Sequence, residues 1–328
     1  MLNNKSLLIT GGTGSFGSAY VKTILKRFPK VKRLVIFSRD ELKQYELQNI
    51  LSEKKYRCLR FFLGDMRDES RLQLALKNID IVVHAAALKQ VPAAEYNPTE
   101  FIKTNIMGAQ NLINCCFKEN VKKVVALSTD KAAAPVNLYG ATKLCADKLF
   151  IAANNIKGSQ DISFSTVRYG NVMESRGSVI PLFKKLKEKN KFPITSPEMT
   201  RFNILMDESI DLVNFAINYS CGGEIFVPKI PSYKILDLAK AINPKAKIEI
   251  IGVRPGEKIH EDLITSSESN TTITAGKYYA ILPHKEHKFI NKYKKKFNIK
   301  FVEQGFNYNS GTNKKFLSVD ELRKLIFR

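Results

Sequence analysis

Along the first half of the chain, apolar positions follow two alternating rhythms. Short runs dense in branched and aromatic residues, at Leu7 to Thr10, Arg33 to Ser38, Cys58 to Gly64, Ile81 to Ala86, Val124 to Ser128 and Ser163 to Arg168, predict strands. Longer amphipathic stretches between them predict helices, and Pro98 to Lys118 predicts one long helix with proline in its first turn. Such alternation is the mark of βαβ units and a parallel sheet covered on both faces. The expected fold is therefore α/β: a Rossmann-type doubly wound parallel sheet with a smaller C-terminal lobe. After about Tyr169 the rhythm loosens into shorter elements separated by Pro181, Pro193, Pro197, Gly222-Gly223, Pro228, Pro231 and Pro255-Gly256. Residues 1–170 are expected to form the Rossmann domain and 171–328 mainly the smaller lobe, with a cleft between them.

Composition narrows the picture. With 328 residues, 44% of them hydrophobic, the chain can bury a substantial core. Its 53 Lys and Arg against 31 Asp and Glu give a charge of +22, which raises the question of a nucleic-acid partner. The lysines are widely spread, however, and where they thicken (Lys285, Lys288, Lys292, Lys294, Lys295, Lys296, Lys300) they lack interleaved arginines and aromatics. The expectation is a solvated basic face that attracts anionic substrates in general, with no nucleic-acid partner. The five cysteines form no CxxC pair and no metal-ligand spacing with the four histidines, so reduced thiols, no metal and a cytoplasmic location are expected. Met1-Leu-Asn-Asn-Lys-Ser runs almost directly into an apolar segment ending in glycines, which leaves no room for a signal peptide. No apolar run reaches membrane-spanning length, and no membrane partner is expected.

The candidate chemistry begins directly after the first strand. Thr10-Gly11-Gly12-Thr13-Gly14-Ser15-Phe16-Gly17 sets three glycines at GxxGxxG spacing where strand gives way to helix. Glycine is needed there because the backbone turns sharply and approaches a pyrophosphate, which helix N–H groups then hold. At the end of the second strand, NAD-selective folds place a carboxylate for the ribose 2′-hydroxyl. Here Ser38, Arg39 and Lys43 surround that position instead, a set suited to a 2′-phosphate, with Asp40 as a helix N-cap. NADP is the expected cofactor.

At the end of the fifth strand stand Thr129, Asp130 and Lys131, where open α/β sheets present their ligands. Tyr139 and Lys143 follow, four apart on a helix, so phenol and ammonium share a face. The ammonium is expected to lower the phenol's pKa and make it a general base near neutrality.

These segments carry a resemblance. TGGTGSFG, HAAALK from His84, STDKAAAPVNLYGATK from Ser128 and RYGNV from Arg168 resemble the extended short-chain dehydrogenase/reductases. Thr129-Asp130-Lys131, SRGSVIP from Ser175, MTRF from Met199, GGEIFVPKIPS from Gly222 and RPGEKIHE from Arg254 are similar to the UDP-N-acetylglucosamine 4,6-dehydratases, over essentially the whole chain. Tyr139 in place of methionine, with no membrane segment, places the resemblance in the inverting branch, which leads to pseudaminic acid.

The resemblance implies a hydro-lyase. Tyr139, helped by Lys143 and Thr129, would take the O4 proton as C4 gives hydride to NADP. Lys131 would remove the acidified C5 proton, Asp130 would protonate the departing O6, and hydride would return to C6. It further implies Asp65 and Met66 at the adenine edge and Ala85, Ala86 and Lys89 beside the dinucleotide. Substrate contacts are implied for Lys89, Asn171, Arg176, Thr195, Arg201, Arg254, Glu257 and the closing segment Tyr308, Asn309, Ser310 and Asn313. A homo-oligomer, such as a hexamer, is also implied.

Three positions depart from the family pattern: Ala134 where Asn is frequent, Glu174 where a small residue is frequent, and Asn203 where a large one is. They put the exact sugar in question. An N-acetylhexosamine epimerase would share fold and Tyr/Lys pair, but a simple 4-epimerase has no use for an acid at O6. A non-catalytic NADP-binding scaffold would have no use for the intact set Thr129, Asp130, Lys131, Tyr139 and Lys143.

Overall fold

The computed structural model describes residues 2–173, 175, 177–188, 191–285 and 287–327. All six strands expected in the first half are present, each end within two residues of the expected one: β1 (Ser6–Thr10), β2 (Arg33–Ser38), β3 (Leu59–Leu63), β4 (Ile81–His84), β5 (Lys123–Leu127) and β6 (Ser163–Val167). They pair in parallel in the order β3-β2-β1-β4-β5-β6. Between them run α1 (Ser15–Arg27), α2 (Glu41–Ile50), α3 (Glu69–Leu76), α4 (Val91–Tyr96), α5 (Pro98–Phe101), α6 (Gly108–Lys118) and α7 (Leu138–Ile156). Successive strand residues point to opposite faces, and each face has its own core. Leu7, Ile9, Leu34 and Ile36 join one, whereas Leu8, Val35 and Phe37 join the other. Two-sided burial is why these strands read as unbroken apolar runs.

The helix expected over Pro98 to Lys118 is continuous but not uniform. Ile102–Met107 between α5 and α6 forms a π segment. A π turn carries an extra residue, and within it Asn105 is buried.

Beyond β6 the chain alternates between two lobes. β7 (Asn171–Val172), α8 (Val179–Leu186), β8 (Lys191–Ile194) and β9 (Thr200–Ile204) leave the main sheet; α9 (Met206–Tyr219) and β10 (Ile225–Pro228) return to it, with β10 parallel to β6. β11 (Ser232–Lys234), α10 (Ile235–Ile242), β12 (Lys247–Ile250) and β13 (Asp262–Ile264) leave again. β14 (Thr272–Ala275) and β15 (Tyr278–Ile281) close the main sheet as an antiparallel edge. α11 (His287–Lys294), β16 (Tyr308–Asn309) and α12 (Val319–Ile326) complete the chain.

The outer lobe has its own apolar core, in which Phe183 and Phe192 stack at 4.8 Å. The two lobes thus interleave in sequence, and β10, β14 and β15 extend the main sheet. Among the described residues no helix is long and apolar enough to cross a membrane, and all five cysteines are free thiols.

Candidate active site

The glycine loop is held by close backbone approach. Gly11 has φ +63°, and a Cβ there would lie 2.8 to 2.9 Å from the backbone of Ala85 and Ala86. α1 begins behind it with neither a capping side chain nor an acidic residue in its first turn, leaving amide donors for an anion. The loop forms one wall of a cavity of about 1070 Å3, lined there by Gly11, Thr13, Gly14, Ser15, Phe16, Gly17, Lys43, Ala85 and Lys89. A dinucleotide fits this cradle, because the anion-binding donors and the space in front of them are both built.

Of the set expected around a 2′-phosphate, Lys43 reaches the cavity wall and also pairs with Asp40, whose carboxylate caps α2. Ser38 is buried, its hydroxyl accepting from Gln44 at 3.0 Å. Arg39 is half exposed and stands 3.7 Å from Asp65, which is bonded to Arg67 at 2.8 Å. Met66 is buried and packs against Gly108, and Ala86 lies just behind the wall.

The catalytic candidates converge at the C-terminal end of β5. Thr129 caps a single 3-10 turn, Asp130–Ala132. Asp130 is fully buried; its Oδ1 accepts from Thr129 Oγ1 at 2.9 Å and from Lys131 Nζ at 3.0 Å, while Oδ2 is sealed without a hydrogen-bond partner among the described residues. Thr129, Lys131, Tyr139 and Lys143 line the cavity. Burial by itself would push the Lys131 amine down, but Asp130 at 3.0 Å and Glu261 at 3.4 Å hold its ammonium above the ordinary lysine range. Opposite charges about 4 Å apart attract by about 4 kcal/mol at an effective dielectric of about 20, and two such attractions outweigh the burial penalty.

The sequence predicts that Lys143 lowers the Tyr139 phenol, and the resting structure corrects this. Burial dominates and pushes Tyr139 up to about 12, opposed by Lys131 and by a hydrogen bond with Thr129. The Lys143 ammonium instead donates to the Leu127 carbonyl at 2.8 Å. Burial lowers Lys143, and Asp147 raises it.

From the outer lobe, Asn171, Arg201, Arg254 and Glu257 line both this cavity and a smaller one of about 450 Å3, where Thr195 also lies. Arg201 donates to the carbonyls of Thr200, Lys258 and Ile259 and so fixes the backbone beyond Arg254. The closing segment stands behind the wall. The Tyr308 hydroxyl bonds both N–H and C=O of Ile230 at 2.8 Å, Asn309 donates to Asp262, Asn313 donates to Ile230 and Ser232, and Ser310 bonds Thr200. Arg176, like Glu174, lies outside the described residues.

Several groups at the site stand outside the candidate set, although Ser128, Arg168 and Glu261 fall within the motifs that carry the resemblance. Asn105 clamps the segment after β4, accepting from Leu88 N and donating to Leu88 O, both at 2.9 Å, and it donates to Thr142 Oγ1 on α7 at 3.0 Å. Behind Lys143 a largely buried network runs from Ser128, which donates to Asp147 at 2.6 Å, through Arg168 at 3.8 Å to the partly exposed Glu268 at 2.9 Å. Glu261, in the segment after Arg254, reaches Lys131. Each comes from a part of the chain remote from the residue it serves.

A doubly wound sheet with a glycine cradle at β1 and a Thr-Asp-Lys turn facing a Tyr/Lys helix defines an extended short-chain dehydrogenase/reductase. The chain belongs to the polysaccharide biosynthesis protein family, whose profile matches residues 7–283. It is 50% identical to the UDP-N-acetylglucosamine 4,6-dehydratase (inverting) of Campylobacter jejuni subsp. jejuni serotype O:2, over 99% of this chain and 98% of that protein. It is 45% identical to the UDP-glucose 4-epimerase of Rickettsia bellii, over 86% of this chain and 84% of that one. Among solved structures, Pen from Bacillus thuringiensis superposes with a TM-score of 0.89 at 38% identity, covering 99% of this chain and 98% of that one.

Proposed function

We propose that this protein is an inverting UDP-N-acetylglucosamine 4,6-dehydratase, a hydro-lyase. The observation that carries the reading is the Asp130–Lys131 contact of 3.0 Å beside Tyr139. A C4 epimerase needs one group to move the O4 proton; elimination across C5 and C6 also needs a base and an acid held together.

A nicotinamide dinucleotide in the glycine cradle would accept hydride from C4 and return it to C6, with a proton from solvent completing C5. NADP is our choice over NAD because Lys43 is at the wall and Arg39 nearby, while Asp40 is occupied as a cap. Tyr139 first gives its phenol proton to solvent in the open cavity and then, as phenolate, takes the O4 proton; its bond to Thr129 and the adjacent Lys131 charge favour that phenolate against burial. Lys131 rests as an ammonium, so it must first lose a proton. Transfer of that proton to Asp130 along the 3.0 Å bond creates the amine base and the carboxylic acid in one step. Lys131 then takes the C5 proton. Asp130 is buried, so its proton enters the cavity through the Thr129 hydroxyl to protonate O6, the C6–O bond breaks and water leaves. The pair is back in its starting state, and no proton has to come from bulk solvent for the elimination.

Arg254, Asn171 and Thr195 would receive the nucleotide diphosphate and uridine, a reading supported by their lining the two cavities. We place the enzyme in the cytoplasm, as a homo-oligomer at the head of the pseudaminic acid route; five free thiols support the compartment. Incubation with UDP-N-acetylglucosamine tests the function: a product lighter by one water, with no net change in NADPH, is expected. An isomer of unchanged mass would mean epimerisation.

A further inference from the structure

We propose that Glu261 is the positioning residue for Lys131: from the outer lobe it holds Nζ as an ammonium within reach of Asp130, so that the pair starts the reaction with the proton that Asp130 delivers to O6. This rests on the reading of Lys131 as the C5 base.

Glu261 is remote in sequence, and its placement is built from both ends of the outer lobe. Its N–H donates to Ser310 Oγ at 2.9 Å, its C=O accepts from Ser310 N at 2.8 Å, and Ser310 Oγ bonds Thr200 Oγ1 at 2.7 Å. The closing segment therefore serves the site indirectly, by fixing the Glu261 backbone. The carboxylate, 3% exposed, puts Oε1 3.4 Å from Lys131 Nζ and 3.7 Å from Arg201 Nε. Oε2 is sealed from solvent and has no hydrogen-bond partner among the described residues. A carboxylate kept only for stability would not leave one oxygen buried and unused, because each such group is costly. Retaining it makes sense if its charge is needed during the reaction.

The bonds are simple. The C5–H bond breaks, its electron pair stays on the sugar conjugated with the C4 ketone, and the proton forms the third N–H bond of Lys131. Positive charge appears on Nζ within reach of Glu261, which changes neither protonation nor bonding. The charged and titratable groups facing Lys131 are Asp130 on its own turn, Glu261 and Arg201 from the outer lobe, Lys89 after β4, Tyr139 on α7 and Tyr233 on β11; Lys258 stands near Glu261. Glu261 and Asp130 are the two anions among them that raise Lys131. Removing Glu261 lowers the pH at which Lys131 gives up its proton to solvent, and with that proton the Lys131/Asp130 pair loses its acid.

The test uses NADP-loaded Glu261→Gln and Lys131→Met in deuterated water with UDP-N-acetylglucosamine. C4 oxidation is followed by transient reduced-nicotinamide absorbance, and C5 cleavage by deuterium uptake. In Glu261→Gln we expect the absorbance transient to form at the wild-type rate, C5 exchange to fall by about ten- to a hundredfold, and exchange to fail at a lower pH than in wild type. Glu261→Asp should recover part of it. Equal slowing of both steps, or C5 exchange and its pH limit unchanged in Glu261→Gln, overturns the role of Glu261. C5 exchange persisting in Lys131→Met overturns the base assignment, and the proposal with it. Exchange lost in Lys131→Met but kept in Glu261→Gln overturns Glu261 alone.

Discussion

Ala134 lies two residues beyond the Asp130–Ala132 turn with φ +46°, a left-handed conformation that L-residues with a plain Cβ adopt at a cost. The family frequently has Asn there, which tolerates that region by bonding locally. Ala134→Asn is expected to stabilise the protein by about 1 kcal/mol, seen as a rise of about 2 °C in Tm. Thr129 is the group through which the buried Asp130 meets the cavity, so Thr129→Val should remove the relay while leaving the fold intact. Elimination is expected to slow by about a hundredfold or more and Thr129→Ser to restore most of it, measured as product formation under saturating substrate.

His84 is a buried, hydrogen-bonded core histidine. Thr10 Oγ1 accepts from the N–H groups of Ala85 and Ala86, so its own proton goes to His84 Nδ1 at 2.8 Å, and the imidazole is an acceptor there. Burial, with a smaller push from Lys143, lowers its pKa from 6.5 to about 3. The folded state therefore disfavours a proton that the unfolded chain binds below pH 6.5. Stability from this group is complete above 6.5 and is lost as pH falls towards 3. Denaturant midpoints measured across that range should fall more steeply for wild type than for His84→Asn; equal slopes would refute the assignment.

At the scale of elements, the parts written locally in the sequence are the parts it reveals. The glycine loop, the end of β5 and the Tyr139/Lys143 helix are each a strand end or a helix turn, and residue type at fixed spacing is enough to place them. Gly140 shows how tight the result is: a Cβ there would run into the Lys131 carbonyl, so α7 sits directly on the Asp130–Ala132 turn. Gly140→Ala is expected to displace that turn, abolishing activity without unfolding the protein, as judged by circular dichroism. The π segment is not legible, since an amphipathic pattern looks alike for α and π turns over six residues. Its Asn105 spends three hydrogen bonds joining the segment after β4 to α7. Asn105→Ala should cost about 3 kcal/mol, because it leaves buried N–H and C=O groups of Leu88 unpaired, and denaturant unfolding would measure it.

Across the whole molecule, the order of strands explains what the sequence hides. A chain that crosses between lobes several times brings Arg168, Arg201, Glu261 and Glu268 to residues more than 20 positions away, and no local pattern records such a meeting. The cation acting on Tyr139 is an example. Spacing along α7 points to Lys143, whereas the fold turns that ammonium to the Leu127 carbonyl and presents Lys131 to the phenol. The closing segment is another, since resemblance assigns it to substrate and the structure sets Tyr308, Ser310 and Asn313 to bracing Ile230, Glu261 and Ser232.

The central claim is that one cavity oxidises C4, eliminates water across C5 and C6 and returns the same hydride to C6. UDP-N-acetylglucosamine carrying deuterium at C4, incubated with NADP-loaded protein in ordinary water, tests it most directly by proton and deuterium NMR of the sugar. The account predicts deuterium in a new C6 methyl group, with a solvent hydrogen at C5 and ring couplings of the inverted configuration. Deuterium retained at C4 of a sugar that keeps its C6 hydroxymethyl group would contradict it.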